Sequence, residues 1–292
     1  MKANFSNRMC CIGLCLTLSL ELVSVSMAAE PKPLPQDWEY APAMRKVAEK
    51  FRGRPGVVLH VGDSVTHANP YGQWARFGKG QSEGDKALLK WMHCGADDET
   101  DGWFLARFDH PDGGRSHTAA GGMRADELLA GGKQKLPALA ELLKKYQPQM
   151  VVLMIGTNDV AQGRKTDDYL ADVEKAVSTI SDAGSICILL TIPPYFGQPE
   201  ASAKYNDGLR SLAKKHSLPL IDYEKEILLR RPKDWNGTLL NKNDAHPSAG
   251  NERVNSSAEP TQENLATSGY LLRGWLSVKK IGEVKQAVLG EK

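Results

Sequence analysis

Short, near-continuously apolar runs alternate along the chain with longer segments whose apolar residues recur every three or four positions. Met44, Val47, Ala48 and Phe51 fall at helical spacing before Gly53, which predicts a helix stopping there. Val57-Val58-Leu59-His60-Val61, ending at Gly62, predicts a strand buried on both faces. A helix over Leu136 to Tyr146 and a strand over Met150 to Ile155, ending at Gly156, repeat the pattern. Next come a helix marked by Tyr169, Val173, Val177 and Ile180, closed by Gly184, and a strand from Ile186 to Ile192. A helix from about Ala201 to His216 leads to a strand at Pro219-Leu220-Ile221-Asp222, and a last helix is predicted over Leu271 to Val288. Such alternation, with right-handed crossovers, predicts a parallel sheet between two helical layers.

Two regions break the rhythm. Residues 67–122 have no clean period but hold Trp74, Trp91 and Trp103, five acidic residues between Asp97 and Asp109, and His93, His110 and His117. A connection that long predicts a lid or binding loop with a helix or two of its own. Residues 250–268 are polar and read as a surface loop.

The amino terminus is a separate object. Lys2 and Arg8 precede a mostly apolar stretch, Cys10 to Met27, with small residues at Ser26-Met27-Ala28. That layout predicts an export signal over residues 1–28, too short and too polar, with Glu21 inside it, for a comfortable membrane span. An uncleaved anchor is the alternative. Residues 29–55 then form a proline-containing lead-in and first helix, and residues 56–292 the main domain. Export would place the mature protein outside the cytoplasm, secreted or periplasmic, with no stable membrane insertion. Of five cysteines, only Cys94 and Cys187 would remain. They could pair, but Cys187 sits in an apolar run, where a buried thiol is expected. No CxxC pair exists, which excludes a zinc ribbon.

Composition narrows the function. The chain carries 37 Lys+Arg against 35 Asp+Glu, without the basic surplus typical of nucleic-acid binders, so no nucleic-acid partner is expected. No phosphate-cradling G-x-x-x-x-G-K-[ST] occurs, and neither cofactor nor metal is expected.

In an open parallel sheet, ligands bind beyond the carboxyl ends of the strands. Gly62-Asp63-Ser64-Val65 follows the first strand and Gly156-Thr157-Asn158-Asp159 the second, while Asn243-Asp244-Ala245-His246-Pro247-Ser248 lies in a late loop able to return to them. Serine, amide, carboxylate and histidine converging there would make a nucleophile, its base, an orienting group and an oxyanion donor. Each also has a plainer use, in helix capping or turn formation.

These blocks, with Gly121-Gly122 between the first two, resemble the SGNH (GDSL-type) hydrolases, in family order and over roughly Val57 to the final helix. Taken with the alternation above, the expected fold is an α/β three-layer α/β/α sandwich with a mostly parallel, flavodoxin-like five-stranded sheet. The resemblance implies Ser64 as nucleophile, His246 as base, and an oxyanion hole from the backbone N–H groups of Ser64 and Gly122 and the Asn158 side chain. One departure stands out: the family's usual aspartate position, three residues before the histidine, holds Asn243, and the nearest carboxylate is Asp244. Asp244 is expected to orient His246, because a carboxylate stabilises the imidazolium, with Asn243 or a dyad lacking an orienting group as the alternatives.

The expected activity is therefore that of an exported serine esterase acting on a small-molecule or polysaccharide ester. Tryptophans in a long loop suit stacking on sugars, which points to O-acetyl groups on carbohydrate, although core packing would use them equally well. Other readings are lipid or thioester hydrolysis, a metal-dependent phosphoesterase using Asp244-Ala245-His246, and a non-catalytic glycan-binding module. The G-x-S-x-G elbow of α/β-hydrolases is absent, since Thr66 stands where its second glycine would be.

Overall fold

In a computed structural model, Met1 and residues 31–110 and 114–290 are described; the expected export signal, Met1 aside, lies outside them. The main unit, Pro31–Lys292, is built on one parallel sheet of four strands: β1 (Arg54–Gly62), β2 (Pro148–Met154), β3 (Ile186–Leu190) and β4 (Leu220–Ile221), in that spatial order. The register pairs Val58 with Met150 and Gly62 with Met154, so β1 and β2 end side by side. Met150 to Met154 are wholly buried, as expected of an apolar run covered on both faces.

One helical layer contains Leu139–Tyr146, Thr166–Asp182 and Pro199–Lys215. The first helix, Ala41–Ala48, and the last, Gly269–Val284, belong to the other. Val284 is followed by a single wider turn, Lys285–Leu289.

The five-stranded expectation needs correction. Four strands form among the described residues, and the place beside the free edge of β1 is taken by one parallel bridge, Gly62 to Ala119. The Ala120 amide donates to the Gly62 carbonyl at 3.2 Å, but the His60 carbonyl accepts from the Thr118 hydroxyl at 2.7 Å. A side chain thus takes the place of a ladder amide, and pairing stops after one bridge.

The described residues of 67–122 pack against the core rather than forming a loose loop, with helices Gln73–Phe77, Glu83–Trp91 and Gly102–Ala106. Caps define two of them. Ser82 and Asp85 close a capping box, and Asp101 accepts from the Trp103 and Phe104 amides. Trp74 and Trp103 are buried and Trp91 is half-buried, so the tryptophans serve packing and the stacking argument for a sugar falls away. Cys94 and Cys187 are free thiols, Cys187 fully buried. Residues 250–268 are exposed to half-buried apart from buried Ser256, Leu265 and Ser268, and include one short helix, Gln262–Leu265.

Candidate active site

The turn after β1 begins with Asp63, whose carboxylate accepts the Val65 amide at 2.9 Å and caps the four-residue helix Ser64–His67. A helix of one turn cannot sustain itself; this one is fixed at its start by Asp63 and at its end by Arg273 of the last helix. The Arg273 guanidinium donates to the Val65 carbonyl at 2.7 Å and to the Thr66 hydroxyl at 2.9 Å.

Ser64 is the first residue of that helix, and its Oγ lies 2.8 Å from His246 Nε2. On the other side of the ring, His246 Nδ1 lies 2.8 Å from Asp244 Oδ1. The same carboxylate oxygen accepts the Ala245 amide at 2.7 Å, which fixes it in place. Burial alone would raise the Asp244 carboxyl, but bonds from His246 and the neighbouring amides outweigh it and hold the group below its ordinary range.

Asn243 is turned elsewhere. It adopts φ +60°, its side chain is bonded to Asn236, and its amide donates to Asn236 at 2.7 Å. The left-handed residue sends the next side chain, Asp244, toward the imidazole.

Gly122 has φ +73°, a conformation that side chains oppose, and this explains the glycine. Among the described residues, neither the Gly122 N–H nor the Ser64 N–H donates to a protein acceptor. Asn158 is in a different state: its amide nitrogen donates to Asp63 at 3.2 Å and to the Met123 carbonyl at 3.0 Å, so both its hydrogens are engaged. Asp159 is a brace. Fully buried, it accepts from the Ala125 amide at 3.1 Å and from Arg164 at 2.6 Å, tying the turn after β2 to the helix Ala125–Ala130.

Two buried charges carry no role in the sequence reading. Asp63 could have been noticed as the helix cap directly before Ser64. Arg273 could have been noticed as a charge inside the apolar run Leu271-Leu272-Arg273-Gly274-Trp275-Leu276. Burial pushes the Asp63 carboxyl up to about 6, with Asp159 acting in the same direction and the Val65 amide, Arg273 and His246 opposing. The folded value lies above the ordinary 3.8, so the folded chain holds this proton more tightly than the unfolded one. The stability contributed by Asp63 is therefore full below the unfolded value, falls as pH rises through the window, and is lost above about 6. Urea unfolding across pH 4 to 7 is expected to show a component that Asp63→Asn removes. Identical pH slopes for the two proteins would contradict it.

Among the described residues, no group of three or more His, Cys, Asp or Glu side chains is placed to hold a metal ion, and no helix is long and apolar enough to cross a membrane.

A serine hydroxyl against an imidazole at the carboxyl edge of a parallel sheet is the arrangement of a nucleophile beside its base. The model of the GDSL-like lipase/acylhydrolase family matches residues 60–251, and the chain belongs to that family. An arylesterase of Vibrio mimicus is 25% identical over 124 residues, covering 42% of this chain and 60% of that protein, so the match spans less than two thirds of the relative. An acetyl esterase variant solved with an acetate ion aligns over 78% of this chain and 98% of its own, at 16% identity and a TM-score of 0.50. An acetylxylan esterase variant from Geobacillus stearothermophilus covers 77% and 93%, at 15% identity and a TM-score of 0.48. At such identities the likeness is one of fold, and the acetyl esterase, at a TM-score of 0.50, agrees with the α/β layering described above.

Proposed function

We propose that the chain is an exported serine esterase that removes O-acetyl groups from carbohydrate. The observation that carries the mechanism is the chain of two 2.8 Å contacts, Ser64 Oγ to His246 Nε2 and His246 Nδ1 to Asp244. Ser64 Oγ attacks the ester carbonyl and gives its proton to His246 Nε2. The tetrahedral intermediate collapses, the C–O bond to the alcohol breaks, and His246 returns the proton to the leaving oxygen. Water, deprotonated by the same imidazole, then releases the acid from Ser64.

The oxyanion would receive the N–H groups of Ser64 and Gly122. Asn158 would join by exchanging its longer bond, the 3.2 Å contact to Asp63, for the developing charge. Each such donor is worth about 10²–10³ in rate.

A polar rim supports a hydrated alcohol over a lipid chain. Gln134 bonds Gly121, Lys133 overhangs Gly122, and the half-buried His67 lies beside Gly121. Acetyl is the acyl group in the names of the two esterases above, and export would bring a polymer within reach. The test is turnover by residues 29–292 of p-nitrophenyl esters of increasing acyl length, with acetate release from acetylated xylan and pectin. Acetyl esters are expected to be turned over fastest and acetate to be released. Activity confined to long acyl chains would sink the carbohydrate reading and favour a lipid hydrolase.

A further inference from the structure

We propose that Arg273 is a positioning residue for the nucleophile, holding the Ser64–His67 turn in its reactive geometry from beneath; this rests on the serine-esterase reading. Arg273 is fully buried, and its hydrogen bonds go to a carbonyl and a hydroxyl rather than to a carboxylate. A charge withdrawn from water without such a partner is destabilising unless hydrogen bonds and neighbouring charge offset it. Its two bonds go to Val65 and Thr66, one and two residues after Ser64. Its guanidinium carbon lies 3.8 Å from the centroid of the Tyr71 ring, and its Nε has no acceptor.

The Val65 carbonyl is one of the orphan acceptors at the end of a four-residue helix. Arg273 satisfies it, and Asp63 fixes the opposite end, so Ser64 is held between two anchors. The same cation sits in the field of Asp63, whose charge is also influenced by His246 and Asp159. Removing it should therefore make Asp63 harder to ionise. Tyr71 extends the support below, with its hydroxyl 3.0 Å from both His60 Nδ1 and Ser277 Oγ.

The test compares wild type, Arg273→Lys and Thr66→Val by kcat and KM for p-nitrophenyl acetate across pH, with a crystal structure of each variant. Lysine keeps the charge but cannot span both acceptors. Arg273→Lys is expected to lower kcat by about tenfold or more with KM little changed, since the loss is of transition-state geometry. Its Ser64 Oγ–His246 Nε2 contact should lengthen beyond hydrogen-bond reach. Thr66→Val, near-isosteric and keeping Arg273, should lower kcat severalfold without moving the pH profile.

If Arg273→Lys only melts earlier, with kcat and the 2.8 Å contact preserved, the proposal is overturned. If Arg273→Lys does not fold, unchanged kcat and contact in Thr66→Val overturn it equally. Absence of Ser64-dependent turnover in wild type would instead sink the esterase reading, while the crystal distances would still decide the role of Arg273.

Discussion

Replacing Ser64 by alanine is expected to lower ester turnover by at least about 10⁴-fold, because the nucleophile and the acyl-enzyme route go together. Any remaining rate would come from the oxyanion donors and from binding. Stability should hardly change. The Ser64 Oγ contacts His246, while the cap of its helix is Asp63, so alanine removes no structural bond. Thermal unfolding beside the kinetics checks both halves. A variant that retains turnover with its fold intact would remove Ser64 from the chemistry.

Asp244→Asn is expected to lower kcat by about 10²–10⁴-fold, because an amide oriented the wrong way selects the wrong imidazole tautomer. With Asp244 in place, Nδ1–H donates to the carboxylate and Nε2 is left to accept the serine proton. The Asp244 side chain is 44% exposed, which weakens its hold on charge and places the effect toward the lower end. Asn243→Gly should leave kcat unchanged, since glycine keeps the left-handed turn and the lost side chain is bonded to Asn236 on the solvent side. Equal losses from the two substitutions, or none from Asp244→Asn, would contradict the assignment of Asp244.

Much of the fold is legible because parallel strands buried on both faces read as unbroken apolar runs. The centres of β1 to β4 lie where those runs lie, and their ends differ by a residue or several. The missing fifth strand is of another kind: Thr118-Ala119-Ala120 is short, and its pairing is decided by a threonine hydroxyl reaching a carbonyl. The short helices in residues 67–122 are likewise held by caps and buried tryptophans, which leave no periodicity to read.

The site divides in the same way. Ser64, Asn158 and His246 follow from the rule that chemistry gathers at strand ends. The proximity of Asp244 to the imidazole, despite its shifted spacing, depends on the left-handed turn at Asn243, a backbone choice that spacing alone does not reveal. The internal bonds of Asn158 and the burial of Arg273 arise from long-range packing between segments separated in the chain.

The most direct measurement is mass spectrometry of the enzyme after exposure to a fluorophosphonate, with His246→Ala alongside. The adduct is expected on the peptide carrying Ser64, at one per chain, and labelling should be much slower in His246→Ala. Labelling of another residue, or equal labelling in both proteins, would contradict Ser64 as the nucleophile activated by His246.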